Sequence, residues 1–204
     1  MKKISIIGAG GHTRSSINIL KKHYADAVFS VYDESFNPQK IELIAGIELK
    51  GNLEDIDDKS LIFLSVGDNL KREKLFKKYN NQIITNNLFH TTSYTEEPIK
   101  IGISNQILAN AYINSYVEIK DNNIINTSVI IEHEVKIGSH NHIAIGAKIC
   151  GRCEIGSRCM IGANATIIDS VKICDDVVIG AGSVVTKDIT NPGTYVGVPA
   201  KKIK

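Results

Sequence analysis

Isoleucine stands at positions 101, 107, 113, 119, 125, 131, 137, 143, 149, 155, 161, 167, 173 and 179, and Val185 continues the beat. Fifteen positions at a spacing of six, with no insertion, fit neither an amphipathic helix of period about 3.6 nor an exposed strand of period about 2. The residue four places after the leading one is small or β-branched at Ala111, Val117, Val129, Val135, Ala147, Cys153, Cys159, Ala165, Val171, Val177 and Ser183. Glycine follows the leading isoleucine at Gly138, Gly156, Gly162 and Gly180, where it reads as a turn residue. A strict sixfold repeat of this kind predicts a hexapeptide parallel β-helix. Three hexads close one three-sided coil of about 18 residues, so residues 18 apart stack and about five coils fit between 101 and 187. Asn105, Asn123 and Asn141 share one inward slot. They predict an internal amide ladder, since a buried amide needs partners; the alternative is that this column turns outward.

The chain before the repeat has a different grammar. "KKISIIG" reads as a strand, Thr13 to Tyr24 as a short helix, Ala27–Asp33 and Ser60–Asp68 as strands, "NLKREKLFKKY" as a charged helix and "NQIITN" as a fourth strand. Strand, turn and helix in alternation imply a small parallel sheet with helices on its faces. We therefore expect two domains: an α/β, Rossmann-like domain over residues 1–95, and the β-helix with a C-terminal tail over residues 96–204.

Composition narrows the function classes. A net charge of +2 over 204 residues gives nucleic acid or an anionic membrane no support as partner. No apolar run approaches the roughly 18–20 residues of a membrane span. All four cysteines lie between Cys150 and Cys174 in a chain with no export signal, which suggests reduced thiols and a cytoplasmic protein.

The stretch from Val129 to Gly156 holds His133, His140 and His142 with Cys150 and Cys153. The histidine spacing does not fit a shared three-histidine zinc site, and one CxxC without a second pair does not complete a Cys₄ site. No metal is expected. His133, flanked by Glu132 and Glu134, lies two places past a core isoleucine, where the chain leaves for the surface. An imidazole there can take a proton at neutral pH, with a carboxylate fixing its tautomer. Gly151 falls 18 residues on, one coil further in the same column, leaving room beside the imidazole and baring a backbone N–H. His140 reads as a surface residue. In the front domain, "GAGGH" after a strand and before a helix can cradle phosphate, and Asp33 ends the second strand where a dinucleotide enzyme places its ribose acid. However, the sixth position of that glycine motif is Thr13, and the domain is short for a full dinucleotide fold.

"IIGAGGH" (residues 6–12), "VGDNLKR" (66–72), "INTSVIIEHE" (125–134), "SHNHIAIGAKICG" (139–151) and "GVPAK" (197–201) together resemble the bacterial nucleotide-sugar N-acetyltransferases typified by PglD and the related sialic-acid O-acetyltransferases of the NeuD type. The resemblance implies a left-handed β-helix, acetyl-CoA as cosubstrate, and a homotrimer with active sites between subunits. It implies His133 as general base, Glu134 as its orienting acid, Asn126 beside the pair, and the Gly151 N–H as oxyanion donor. His142, Gly151, Ala163, Gly197, Pro199 and Lys201 would contact CoA, with Lys202 nearby. Gly10, Gly11 and His12 would approach the diphosphate or sugar, and Asp33, Glu34, Gly67 and Asn69 would border the base. The implied reaction acetylates the amine, at C4, of a UDP-linked 4-amino-4,6-dideoxy sugar. An O-acetyltransferase of free sialic acid, a non-catalytic nucleotide-sugar scaffold and, last, a dehydrogenase remain as alternatives.

Overall fold

The structure is a computed structural model describing residues 1–204, which form two compact units, Met1–Thr85 and Asn86–Lys204. The second unit begins at 86 because Leu88–Phe89 already pairs in parallel with Gln106–Ile107, and Tyr94–Thr95 with Tyr112–Ile113.

The first unit is a Rossmann-like sheet of order β3-β4-β2-β1-β5, with β1 at Lys3–Ile7, β2 at Val28–Tyr32, β3 at Leu43–Ile44, β4 at Ile47–Gly51 and β5 at Leu61–Leu64. All neighbours are parallel except the β3–β4 edge hairpin. β1 lies between β2 and β5, and its Ile4, Ile6 and Ile7 are fully buried, as a strand covered on both faces requires. Helix α1 (Gly11–His23) and helix α2 (Asn69–Lys78) follow β1 and β5. The β3–β4 hairpin went unread because its apolar residues are few and brief. "NQIITN" supplies only a single bridge, Ile83 to Ile62.

The second unit is a parallel β-solenoid whose two- and three-residue strands stack into three faces. The first face runs through Gln106–Ile107, Ile124–Ile125, His142–Ile143 and Met160–Ile161, the second through Tyr112–Ile113, Ile130–Ile131 and Lys148–Ile149, and the third through Glu118–Ile119, Lys136–Ile137 and Glu154–Ile155. Each pairing joins residues 18 apart, as the hexad arithmetic requires. The leading isoleucines from 107 to 179 and the small residues four places on are buried, forming one continuous core. The outward residues of the third face alternate in charge, with Lys100–Glu118 and Glu154–Lys172 ion pairs at 3.0 Å.

The asparagine ladder is internal. Asn105, Asn123 and Asn141 are fully buried. Each Oδ1 accepts the backbone N–H one coil above: Asn87 from Asn105 at 2.9 Å, Asn105 from Asn123 at 2.9 Å, Asn123 from Asn141 at 2.8 Å, and Asn141 from Cys159 at 2.6 Å. The ladder thus begins one rung earlier than the repeat suggested and ends where cysteine takes over the slot.

The corners follow a second rule that the isoleucines concealed. Every sixth residue from 104 to 182 has positive φ, between 54° and 68°. Glycine holds only 146 and 182 of these, and Ser, Asn and Asp hold most of the rest, the types that tolerate the left-handed region. The glycines after the leading isoleucines have another cause. A β-carbon on Gly138 would lie 2.6 Å from the Gly156 carbonyl oxygen, and one on Gly162 2.6 Å from the Ile179 oxygen, so close coil stacking excludes a side chain there. His140 is buried rather than at the surface, its Nδ1 2.9 Å from Asn122 Nδ2. No helix is long and apolar enough to cross a membrane.

Candidate active site

The corner between the second and third faces is built from three adjacent columns: Asn114–Glu132–Cys150, Ser115–His133–Gly151–Asp169, and Tyr116–Glu134–Arg152–Ser170. Asn114, Ser115, Tyr116, His133 and Glu134 line an open depression of about 550 Å³. His133 Nδ1 lies 3.1 Å from Glu134 Oε2, and the imidazole is 42% exposed. The pairing of adjacent residues is possible because Glu134, at φ 61°, takes the left-handed corner position and turns its carboxylate back to the ring. With Nδ1–H donated to Glu134, Nε2 is left as the proton acceptor.

Gly151 fits against that ring. A β-carbon at 151 would stand 2.7 Å from His133 Cε1 and 2.8 Å from Nε2, so only glycine leaves the imidazole its place. No acceptor of the chain takes the Gly151 N–H. The contrast with the coils below explains why. Asn114 Oδ1 accepts the Ser115 N–H at 2.7 Å and Glu132 Oε2 the His133 N–H at 3.4 Å, whereas the third member of that column is Cys150, which has no oxygen to offer. One coil higher, Asp169 is bound by Ser170 Oγ and by Arg152 at 2.6 Å, and these hydrogen bonds hold its carboxyl below the usual range. An imidazole acceptor and an open amide donor one coil apart can deprotonate a nucleophile and stabilise an oxyanion.

Asn126 and His142 meet each other instead of this pair. Asn126 Nδ2 is 3.1 Å from His142 Nε2 at the preceding corner, where the first face gives way to the second. Ala163 lies one coil on at that corner, and Gly197, Pro199 and Lys201 lie in the tail, where Gly193–Val196 pairs with Val177–Ile179. Pro199 and Lys201 line a further cavity of about 250 Å³ with Lys187 and Tyr195. The surroundings favour the neutral thiol: burial pushes Cys153 up to about 11 and Cys159 up to about 12, and burial, then Asp169 and Glu132, also raise Cys150. No group of three His, Cys, Asp or Glu side chains is arranged to hold a metal ion.

In the first unit, Gly8 has φ 117°, and a β-carbon there would lie 2.5 Å from the Ser65 oxygen, so the turn needs glycine. Thr13, where a third glycine would stand in a dinucleotide motif, is fully buried and donates to the Gly8 carbonyl at 2.7 Å. Gly10 caps α1 without a side-chain acceptor and the first turn carries no acid. Nothing lies within 4 Å of a β-carbon placed on Gly10 or Gly11, so with His12 they present an open helix N-terminus suited to an anion. Asp33 is already engaged: Oδ2 accepts the Ala9 N–H at 3.0 Å, and Oδ1 accepts the Ser35 N–H and hydroxyl at 2.9 and 2.7 Å. Partial burial would raise its carboxyl, but these bonds and Lys71 hold it below the usual range. Glu34 pairs with Lys71 at 2.7 Å.

Sequence reasoning passed over Arg72, which organises the loop that carries Gly67 and Asn69. It is fully buried, donates to the Val66 and Gly67 carbonyls at 3.0 and 3.3 Å and to Asn69 Oδ1 at 2.9 Å, and burial pushes its guanidinium down to about 9. A charged residue on the inner face of a predicted amphipathic helix was the available signal.

Comparison with known proteins agrees with this architecture. Residues 3–79 match the PglD N-terminal domain, and residues 134–169 and 152–187 match the bacterial transferase hexapeptide (six repeats). No curated protein sequence matches. Among solved structures, PerB from Caulobacter crescentus, in complex with CoA and GDP-perosamine, is 26% identical with a TM-score of 0.87, covering 100% of this chain and 98% of that one. The acetyltransferase domain of PglB from Neisseria gonorrhoeae FA1090, in complex with acetyl coenzyme A, is 25% identical with a TM-score of 0.86 over 99% of each chain. WeeI from Acinetobacter baumannii AYE, at 17% identity and a TM-score of 0.58, shares the fold. The first unit thus carries a PglD-type N-terminal domain and the solenoid carries transferase hexapeptides, and over its whole length the chain is similar to PglD-like sugar N-acetyltransferases that bind CoA or acetyl-CoA.

Proposed function

We propose that this enzyme acetylates the C4 amine of a nucleotide-linked 4-amino-4,6-dideoxy sugar by direct attack on the acetyl-CoA thioester. The observation that carries the reading is the seat of His133 over a side-chain-free Gly151 whose N–H is open. The amine attacks the thioester carbon and forms the C–N bond, and His133 Nε2 takes its proton while Glu134 steadies the imidazolium. The Gly151 N–H holds the developing oxyanion until the C–S bond breaks and CoA leaves as thiolate, to be protonated by the imidazolium. In the first unit, the N-terminus of α1 with Gly10, Gly11 and His12 takes the diphosphate, and Glu34, Gly67 and Asn69 border the base behind a wall held by Asp33. PerB carries GDP-perosamine, which favours a nucleotide-linked amino sugar over free sialic acid.

His142 with Asn126, Ala163, Gly197, Pro199 and Lys201 are assigned to CoA, and the active unit is a homotrimer with its sites between subunits. The second face supports this assembly. Its outward column, between the corner holding Asn126 and the corner holding His133, runs through the stacked Tyr94 and Tyr112 (centroids 6.1 Å apart), Ile130, Lys148, Thr166 and Val184, and the two tyrosines with Ile130 suit a subunit contact. A cytoplasmic setting remains part of the proposal.

The test is CoA release with a free-thiol reagent across UDP-, dTDP- and GDP-linked 4-amino-4,6-dideoxy sugars, GDP-perosamine among them. Turnover with one of them, reduced about 10²–10⁴-fold in His133→Ala with the fold intact, is expected. Turnover only with free sialic acid would replace the reading with O-acetylation, and near-wild-type rates in His133→Ala would remove the imidazole from the mechanism.

A further inference from the structure

The left-handed corner column is filled with residues chosen for that backbone, except at five positions: Tyr116, Glu134, His140, Arg152 and Arg158. Four of these have a partner that accounts for them. Glu134 holds His133, and His140 meets Asn122 at 2.9 Å. Arg152 binds Asp169 at 2.6 Å, and Arg158 binds Asp176 at 2.7 Å and Asp175 at 3.1 Å. Tyr116 has no such account. It sits at φ 59°, a conformation that is a rare outlier for a bulky side chain, and yet its side chain is not used to fill the core: the residue is 64% exposed. An aromatic ring in water on a strained backbone gains nothing for the fold, and strain of this kind concentrates at functional positions.

Its place is one coil below Glu134, in the same column, and it lines the 550 Å³ depression that His133 opens into. We infer that Tyr116 is a specificity-determining platform whose ring face packs on the apolar C–H face and 6-deoxy methyl of the acceptor sugar, holding the amine toward His133. This deepens the proposed function and rests on it. The chemistry of the surroundings supports a sugar: Asn114, Ser115 and Glu134 supply polar groups around the ring, and an aromatic face bordered by hydrogen-bonding side chains matches a deoxy-hexose, which has one apolar face and a polar rim.

The experiment compares Tyr116→Asn and Tyr116→Phe with the wild type, using as probe whichever of the UDP-, dTDP- and GDP-linked 4-amino-4,6-dideoxy sugars the wild type acetylates. Asparagine relieves the backbone and removes the ring. Tyr116→Asn is therefore expected to raise the melting midpoint by about 2–4 °C while raising the acceptor KM about three- to tenfold. The acetyl-CoA KM and the trimer seen by light scattering should not change. Tyr116→Phe, which keeps the ring, should stay within about twofold of the wild-type acceptor KM. An unchanged acceptor KM in Tyr116→Asn overturns the inference. So does a KM increase that comes with a lower melting midpoint or loss of the trimer, which would make the tyrosine structural, or an equal loss in Tyr116→Phe. A wild type that acetylates none of the probes instead sinks the proposed function on which the inference stands.

Discussion

The two units solve the same problem, holding a few polar groups in place, by opposite means. In the solenoid, a residue's neighbours lie 18 positions away, so the imidazole of His133 and the bare amide of Gly151 are brought together by the repeat itself. In the first unit the comparable contacts join unrelated segments: Ala9 with Asp33, Glu34 with Lys71, and the Val66–Asn69 loop with a buried Arg72. The difference teaches where to look for function. In a repeat, the signal is a departure from the rule, such as a tyrosine where the backbone wants asparagine. In a non-repeating unit, the signal is a buried polar group that costs free energy unless it is satisfied.

The contrast can be broken or sharpened by substitution. The largest effect is expected at Cys150. Cys150→Asn gives the Gly151 N–H the same preceding-residue acceptor that Asn114 gives Ser115, and should lower kcat about 100-fold with the acetyl-CoA KM little changed. Cys150→Ala should stay near wild type, and full turnover in Cys150→Asn would show that this amide is not the oxyanion donor. In the first unit, Arg72→Met leaves the Val66 and Gly67 carbonyls and Asn69 Oδ1 without a buried donor, a loss of about 1–3 kcal/mol. Steady-state kinetics should show the nucleotide-sugar KM rising about tenfold and the acetyl-CoA KM unmoved; parallel changes in both would mean the two units do not divide the work. The smallest effect lies inside the ladder. Asn123→Val takes the acceptor from the Asn141 N–H and should lower the melting midpoint by about 5 °C without touching kcat. Lys136→Ala on the exposed third face should shift it by about 1 °C at most. Equal melting shifts would deny the ladder its role.

Legibility differed in the same way. The isoleucine beat was enough to place the core, because every coil repeats one packing solution, while it left the asparagine column free to face in or out, a choice the buried hydrogen bonds of Asn105, Asn123 and Asn141 decide. It concealed the corner rule, since Ser, Asn, Asp, Arg, Glu and Tyr share no hydropathy and only their backbone unites them. In the first unit, β1, β2, β5 and both helices were readable from apolar periodicity, while the β3–β4 hairpin, with Ile44 and Leu49 as its buried residues, was too short to register. Of the candidate site residues, His133, Glu134 and Gly151 come together; Asn126 meets His142, because a whole hexad, one face of the solenoid, separates its corner from theirs.

The amino-acid order alone determined that the C-terminal half buries every sixth residue, a period that neither a helix nor a simple exposed strand has; the closing of three hexads into a coil of 18 is a property of the β-helix that the pairing register bears out. Only the tertiary structure decided which polar groups remain open. The amide of Gly151 is bare because of what its neighbour Cys150 lacks, and the carboxylate of Asp33 is occupied because a distant turn folds onto it. Hydrogen-bond satisfaction is a property of three-dimensional neighbours, and a list of residues in chain order does not contain it.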